Sequence, residues 1–209
     1  MTAPAAPHAT TSPHSTRNRA ARVLWGFVQA TLFRFSPRPL HGWRNGLLRL
    51  FGADLHPSAR VYPRARIWGP WNLAMGAHAT IADDVDVYCV ERITLGERAI
   101  ISQYSYLCGA THDFTKRARP LVPMPITIGP GVWIAADVFV GPGVTIGEET
   151  VVGARSSVFN NLPAWKVCVG SPAKPARDRV LTDDPSGGHP TPATPRIPGA
   201  ASPDPGGHG

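Results

Sequence analysis

One histidine, His112, lies in a polar and basic stretch that runs from Thr111 to Arg119 and also contains Lys116 and Arg117. An imidazole ionises close to neutral pH, so a histidine outside a packed core can take up and return a proton during a reaction. The stretch has no apolar period that would place His112 in a core. We therefore treat His112 as the candidate general base, and a plain surface-loop residue is the alternative.

The residues around this loop follow a strict period of six. Six aliphatic side chains stand at that spacing near the C-terminal end of the repeat: Ile128, Ile134, Val140, Ile146, Val152 and Val158. Neither a helix, with a period of 3.6, nor a single strand, with a period of 2, produces an unbroken spacing of six. The pattern predicts hexapeptide repeats that stack into an all-β solenoid.

The same register extends upstream in sets of three. Its inward positions are Leu55, Val61 and Ile67, then Met75, Ile81 and Val87, then Leu95, Ile101 and Leu107. Two extra residues separate successive sets, and fifteen extra residues separate Leu107 from Ile128. Three hexapeptides make one triangular coil, so we expect about five coils. The fifteen-residue insertion, which holds His112, leaves the solenoid between the third and fourth coils.

The composition of the chain divides it into five segments. We expect a disordered N-terminus, a helical segment, the solenoid domain, a C-terminal extension and a disordered tail rich in proline and glycine. These segments span residues 1–16, 17–52, 53–165, 166–182 and 183–209.

The helical segment contains an apolar run from Val23 to Phe33 that is too short to span a bilayer. Arginines and prolines follow it instead of the small residues of a signal-peptide cleavage site. Two readings remain open for this helix. It packs across the open end of the solenoid, where strand edges need a cover, or it attaches peripherally to an anionic membrane surface.

The formal charge of +7 suits a cofactor that carries phosphate. The chain has no Lys/Arg run, no stacked aromatic ladder and no nucleic-acid motif, so we do not expect nucleic acid as a partner. The three cysteines are Cys89, Cys108 and Cys168, and their spacing is not that of a zinc site. Their odd number argues against a disulfide framework and favours a reducing cytoplasm.

Several phrases of the sequence resemble those of a known family. They are the Thr111-His112-Asp113 loop, Gly131–Ala136, Gly141–Gly147 and the closing Gly170–Lys174. Together with the repeat, these make the chain similar to hexapeptide-repeat acetyltransferases of the colanic acid biosynthesis O-acetyltransferase group. The resemblance implies a left-handed parallel β-helix and a homotrimer. It also implies acetyl-CoA in a groove between two subunits, with a sugar acceptor at the inner end of the groove.

The resemblance also assigns site residues. His112 takes a proton from the acceptor hydroxyl, and the backbone amide of Ala136 stabilises the oxyanion. Tyr88 and Cys89 stand at the acceptor site, although related enzymes often carry an asparagine after the tyrosine. Asp113 either orients His112 or is a solvated loop acid. The cofactor-binding positions are Trp133, Ala136, Ala154, Phe159, Asn160, Lys174 and Arg177, and Phe159-Asn160 replaces the Thr-Lys pair of the galactoside enzymes.

The expected function is acetyl transfer from acetyl-CoA to a sugar hydroxyl in exopolysaccharide biosynthesis, with no metal. A catalytically silent scaffold or a sugar- or carrier-binding β-helix is the first alternative. A trimeric zinc enzyme similar to carbonic anhydrase is the second. It is disfavoured because His56, His78 and His112 fall on separate coils and do not converge on one corner.

Overall fold

The computed structural model describes residues 16–182. The predicted tail, residues 183–209, and all of the predicted N-terminal segment, residues 1–16, except Thr16 lie outside the described residues. Two compact units divide the chain, residues 1–179 and 180–209. The first unit contains two helices and a parallel β-solenoid. Helix α1 spans Thr16–Val28 and continues as a π-helical turn over Gln29–Phe33. Helix α2 spans His41–Leu50, and a short 3₁₀ turn follows at Pro70–Asn72.

Three sheets form the walls of the solenoid, and all their strands run parallel except β19 at the end of sheet B. Sheet A contains β1 (Asp54–Leu55), β4 (Leu73–Met75), β7 (Ile93–Leu95), β12 (Ile126–Ile128) and β15 (Thr145–Ile146). Sheet B contains β2 (Arg60–Val61), β5 (Thr80–Ile81), β8 (Ile100–Ile101), β13 (Trp133–Ile134), β16 (Val151–Val152), β18 (Lys166–Gly170) and β19 (Ala173–Asp178). Sheet C contains β3 (Arg66–Ile67), β6 (Asp86–Tyr88), β9 (Tyr106–Cys108), β14 (Phe139–Val140) and β17 (Ser157–Val158).

The hexapeptide register predicted from the sequence is confirmed. Each inward residue pairs with its counterpart one coil later, as Ile101 does with Ile134 and Ile134 with Val152. All fifteen predicted inward positions are buried, and the most exposed, Leu55, retains 7% of its surface. The core is therefore a column of aliphatic side chains inside three narrow walls.

The corners of the coils use a left-handed backbone conformation. Residues with positive φ directly precede the small or β-branched side chain that opens the next wall, as Asp137 (φ 59°) precedes Val138 and Arg155 (φ 59°) precedes Ser156. A tight, repeated turn of this kind lets each short strand meet the next at a fixed angle, which closes the triangular coil.

All insertions leave the solenoid at one corner, where strands of sheet C lead into sheet A. The 3₁₀ turn at Pro70–Asn72 connects β3 to β4, and the segment after Tyr88 connects β6 to β7. The fifteen-residue insertion connects β9 to β12 and forms a hairpin of β10 (Ala110–His112) and β11 (Leu121–Pro123). We call this corner the C–A corner, and it carries the candidate base.

The solenoid extends beyond the predicted five coils. A sixth coil begins with a bridge between Ile146 and Leu162 in sheet A, and β18 then pairs in parallel with β16 in sheet B. Strand β19 returns antiparallel to β18 and ends that sheet. The boundary predicted at residue 165 therefore lies inside the sheet structure, because Cys168 is buried as the inward residue of β18.

The helical segment covers the open edge of the first coil. Trp25 Nε1 donates to Ile67 O at 2.6 Å, and Ile67 N–H donates to Gln29 Oε1. From α2, Arg44 Nε donates to Val61 O and Asn45 Nδ2 donates to Ala59 O. These bonds satisfy backbone groups that an uncapped terminal coil would leave unpaired. Within residues 16–182 no helix is long and apolar enough to cross a membrane.

Candidate active site

The hairpin at the C–A corner holds His112 outside the solenoid. Strands β10 and β11 pair antiparallel with Ala110 opposite Pro123 and His112 opposite Leu121. Met124 N–H donates to Gly109 O at 3.0 Å, which closes the base of the hairpin on the end of β9. His112 is exposed at the far end of this ladder, where a second molecule can reach it.

One hydrogen bond determines which ring nitrogen of His112 is basic. His112 Nδ1 lies 2.6 Å from the carbonyl oxygen of Arg119, which closes the same loop. A carbonyl oxygen only accepts, so the neutral ring carries its proton on Nδ1 and has the lone pair on Nε2. The Arg119 carbonyl thus orients the imidazole and leaves Nε2 as the proton acceptor. Sequence reasoning did not identify this role, because backbone carbonyls have no residue signature.

Asp113 does not orient His112. Its Oδ1 accepts from Thr115 N–H and Thr115 Oγ1, and its Oδ2 lies 3.1 Å from Lys116 Nζ. The hydrogen bond from Thr115 and the neighbouring Lys116 hold the pKa of the Asp113 carboxyl below its usual value. Asp113 therefore closes its own turn, and the reading of Asp113 as the orienting residue does not agree with the structure.

Tyr88 and Cys89 lie at the same corner, one coil before the hairpin, but they face opposite ways. Tyr88 is half-buried on the outer face of sheet C, beside Cys108 in the register of β6 and β9. The Cys89 thiol is fully buried. It donates to Gly69 O at 3.1 Å and accepts from Gly69 N–H, and burial raises its pKa to about 11. Because this thiol points into the corner, the expectation that the Cys89 side chain contacts an acceptor does not agree with the structure.

A ladder of aromatic rings covers the outer face of sheet C, contrary to the expectation that no such ladder exists. Neighbouring ring centroids lie 5.6 to 6.4 Å apart along Trp68, Tyr88, Tyr106, Phe139 and Phe159. Burial among these rings raises the pKa of the Tyr88 and Tyr106 hydroxyls, so both stay neutral donors. The sequence signal was the aromatic neighbour of each inward residue in this wall. The ladder joins the predicted acceptor residue Tyr88 to the predicted cofactor residue Phe159.

The remaining predicted cofactor positions begin at the opposite edge of sheet C, where sheet B leads into it. We call this edge the B–C corner. Ala136 and Ala154 occupy equivalent places in successive coils, and Arg155 N–H donates to Ala136 O at 3.0 Å. Trp133 lies on the adjoining outer face of sheet B, and its Nε1 donates to Ser102 Oγ. Two alanines at this edge leave the backbone open to a slender ligand.

The geometry at Ala136 suits an oxyanion donor. Buried Ser105 donates its hydroxyl to Ala135 O at 3.0 Å, which fixes the peptide plane between Ala135 and Ala136. In a trans peptide the N–H points opposite to the C=O, so Ala136 N–H points away from Ser105. Among residues 16–182 it finds no hydrogen-bond acceptor. An oriented donor without a partner is what a developing oxyanion needs.

Lys174 and Arg177 lie on β19, at the end of sheet B. Arg177 stands opposite Val167 of β18, which pairs with Val151, which pairs with Trp133, so these residues form one row across the sheet. Both cations are exposed, and neither forms an ion pair with any described residue. The next arginine, Arg179, is held instead by Glu149 at 3.1 Å. Lys174 and Arg177 therefore remain available for an anionic ligand.

The site residues thus form two groups at different edges of one chain. Tyr88 and His112 lie at the C–A corner, where Phe159 and Asn160 follow the last strand of sheet C. The second group is Trp133, Ala136, Ala154, Lys174 and Arg177, at the B–C corner and on sheet B. Sheet C separates the groups, so this chain alone does not bring the base to the open backbone of Ala136.

The described part of the chain contains no group of three or more His, Cys, Asp and Glu side chains that could hold a metal ion. His56 is engaged with Ser58 Oγ at 2.8 Å, and the backbone N–H of His78 donates to the same hydroxyl. Neither histidine is a partner of His112.

Comparison with known proteins identifies a family and a relative that this chain resembles. Residues 125–160 match the family described as bacterial transferase hexapeptide (six repeats). The chain is 50% identical over 160 residues to WcaF of Escherichia coli (strain K12), whose name proposes an acetyltransferase of colanic acid biosynthesis. That match covers 77% of this chain and 88% of WcaF.

Two solved structures share the fold, one with acetyl coenzyme A bound and one with coenzyme A bound. One is a hexapeptide-repeat acetyltransferase of Vibrio cholerae O1 biovar eltor with acetyl coenzyme A, at a TM-score of 0.70 and 27% identity over 80% of this chain and 91% of that one. The other is galactoside acetyltransferase with coenzyme A. It has a TM-score of 0.71 and 25% sequence identity, over 80% of this chain and 84% of that chain. On the strength of the WcaF match and the shared coil architecture, the chain belongs to the hexapeptide-repeat acetyltransferases.

Proposed function

We propose that this protein transfers the acetyl group of acetyl-CoA to a hydroxyl of a sugar in exopolysaccharide biosynthesis. The observation that carries this proposal is the His112 imidazole, oriented by the Arg119 carbonyl with Nε2 free, on a hairpin that projects from the solenoid. The identity to WcaF supports the polysaccharide setting.

The proposed reaction is a direct transfer. His112 Nε2 takes the proton of the acceptor hydroxyl while the hydroxyl oxygen attacks the thioester carbonyl carbon. The carbonyl oxygen becomes an oxyanion, which accepts a hydrogen bond from Ala136 N–H. When the tetrahedral intermediate collapses, the C–S bond breaks and the imidazolium returns its proton to the thiolate. The products are the acetyl ester and CoA, and no enzyme nucleophile is consumed.

The donor binding residues fit the chemistry of CoA. The pantetheine arm is slender and passes best over small residues, which Ala136 and the exposed Ala154 provide next to Trp133. The phosphates carry the negative charge, and Lys174 and Arg177 are exposed cations without a described ion-pair partner. Phe159 and Asn160 complete the proposed set at the other edge of sheet C.

The proposed assembly is a homotrimer with the active sites between subunits. Its support is the separation of the two groups, because sheet C divides the His112 hairpin from the Ala136 corner within one chain. A cyclic trimer brings the C–A corner of one chain to the B–C corner of the next, which completes three equivalent sites. The proposed compartment is the cytoplasm, with a peripheral contact of the N-terminal helix at the inner membrane face, and the described cysteines are all free thiols.

The test is acetyl transfer to a panel of nucleotide sugars, lipid-linked sugars and simple glycosides, followed by mass spectrometry. With any accepted sugar, His112→Ala should lower turnover by about 10² to 10⁴, the usual contribution of a positioned base. His56→Ala is the matched control, because it removes an exposed histidine of the first coil and should leave turnover unchanged. Full activity of His112→Ala would remove His112 as the base. A panel without any acetylated product would reject the sugar assignment.

A further inference from the structure

Helix α1 has two apolar faces. Trp25 faces the solenoid, where it is 2% exposed and packs against Phe33 and Phe51. Val23, Leu24 and Phe27 face outward and are 77%, 58% and 67% exposed. At about 100° per residue these three lie within roughly 100° of one another, on the side of the helix opposite Trp25. Capping the solenoid therefore leaves a second apolar stripe that no part of residues 16–182 covers.

Arginines border this stripe, and the helical segment that carries it contains no acidic residue. On the same helical projection Arg17 and Arg19 fall on its two borders, each within about 40° of an apolar member. Both are exposed, as is Arg34 after the π turn. No aspartate or glutamate occurs between Thr16 and Ala53, and none of the three arginines forms an ion pair with a described residue. The apolar stripe thus has a purely cationic rim.

We infer that the outward face of α1, namely Val23, Leu24, Phe27 and the bordering Arg17 and Arg19, docks on a membrane surface that carries anionic lipid. A helix whose apolar side chains reach the acyl boundary while arginines meet headgroup phosphates is the usual interfacial arrangement. Capping the solenoid and binding lipid are then simultaneous roles of opposite helix faces. They are not alternatives.

The symmetry of the assembly favours a planar partner. This step rests on the homotrimer of the proposed function. Helix α1 caps the first coil, so its outward face points away from the end of the solenoid. In a cyclic trimer whose solenoids run parallel to the axis, the three copies of this face lie at one level and point the same way, so one flat surface can meet all three. Binding through three linked sites exceeds the affinity of one site without any new contact. Membrane binding requires no acetyl transfer, so it can be tested separately from the chemistry.

The experiment is sedimentation of the full-length protein with vesicles of phosphatidylcholine alone and of phosphatidylcholine with phosphatidylglycerol, at low and high salt. We expect binding to the anionic vesicles that weakens with salt. Leu24→Ser combined with Phe27→Ser should reduce that binding at least about tenfold, since it removes two apolar side chains from the stripe. Arg17→Gln combined with Arg19→Gln should reduce it several-fold and tests the same face without altering its apolar residues.

Ile100→Thr is the matched control, because Ile100 is an exposed apolar residue of sheet B far along the sequence from α1. It should bind vesicles like the wild type, and the two α1 double variants should keep their unfolding temperature and their acetyl transfer in solution. A wild type that does not bind anionic vesicles would overturn the inference. Equal binding by the wild type, both α1 double variants and Ile100→Thr would overturn it as well. The wild type could also form an assembly larger than a trimer without lipid. If Leu24→Ser/Phe27→Ser dissociates that assembly into trimers, the face binds another copy of the chain and not a membrane.

Discussion

The exposed cations of β19 give a prediction whose size follows from the structure. Lys174→Gln combined with Arg177→Gln should raise the KM for acetyl-CoA without lowering stability, because neither side chain has an ion-pair partner among residues 16–182. Exposed ionic contacts contribute about 0.5–1 kcal/mol each. Two lost contacts amount to about 1–2 kcal/mol, which is roughly a 5- to 30-fold rise in KM at a tenfold change per 1.4 kcal/mol.

The assay is the KM for acetyl-CoA at several ionic strengths. The KM of the wild type should rise with salt, and that of the double variant should depend on salt less, because screening acts on contacts that it lacks. Repeating the assay with acetyl-dephospho-CoA tells which phosphate is bound. If the 3′-phosphate is the partner, the difference between wild type and variant should shrink with this donor.

Lys166→Gln is the control within the same hairpin. The Lys166 ammonium is already paired with the Asp178 carboxylate, so its removal should leave the KM within about twofold. Deletion of residues 183–209 should likewise leave the KM unchanged, because that deletion begins after Arg177. A double variant with the KM and salt dependence of the wild type would refute the reasoning and make Lys174 and Arg177 ordinary solvated residues.

Three further predictions concern other parts of the chain. Ile134→Ala should lower the free energy of unfolding by about 2–5 kcal/mol, because Ile134 is fully buried between two coils. Denaturant unfolding measures this change, and a loss below about 1 kcal/mol would place Ile134 outside the core. Ser105→Ala should lower kcat several-fold with a nearly unchanged KM for acetyl-CoA, because it frees the peptide that presents Ala136 N–H; a change in KM alone would contradict this role. Cys89 should resist iodoacetamide at pH 8 in the folded protein, since burial raises its thiol pKa to about 11 and keeps the thiol protonated. Peptide mass mapping that finds rapid labelling of the native protein would show instead that the thiol is accessible. Cys89→Ala should leave the KM for any accepted sugar unchanged.

The solenoid could be predicted from the sequence because every coil repeats the same local demand. Each of the three walls needs one inward aliphatic residue in every hexapeptide. The six-residue spacing from Ile128 to Val158 therefore predicts the register without any knowledge of tertiary contacts. The sixth coil was missed because it breaks the pattern. Leu162 arrives four residues after Val158, and the next strand of that coil, β18, places a cysteine, Cys168, at the inward position.

The candidate site was predictable only as far as side-chain identity goes. His112 stood out as a titratable residue in an insertion. The orientation of His112 depends on a carbonyl at Arg119, and the proposed oxyanion donor, Ala136 N–H, depends on a peptide plane held by Ser105. These are backbone features that emerge when distant coils stack. Cys89 shows the same limit, because a slight turn after Tyr88 decides whether a side chain faces solvent or the corner.

The central claim is that one chain supplies His112 and its neighbour supplies the Ala154 corner. Mixed trimers of His112→Ala and Ala154→Trp test it most directly, since each variant alone lacks the base or has a blocked groove. In an equal mixture about three quarters of the trimers are mixed, and each holds one intact site, so about a quarter of the wild-type activity should return. Mixed trimers, isolated through two tags, that remain as inactive as the separate variants would show that the base and the groove belong to the same chain.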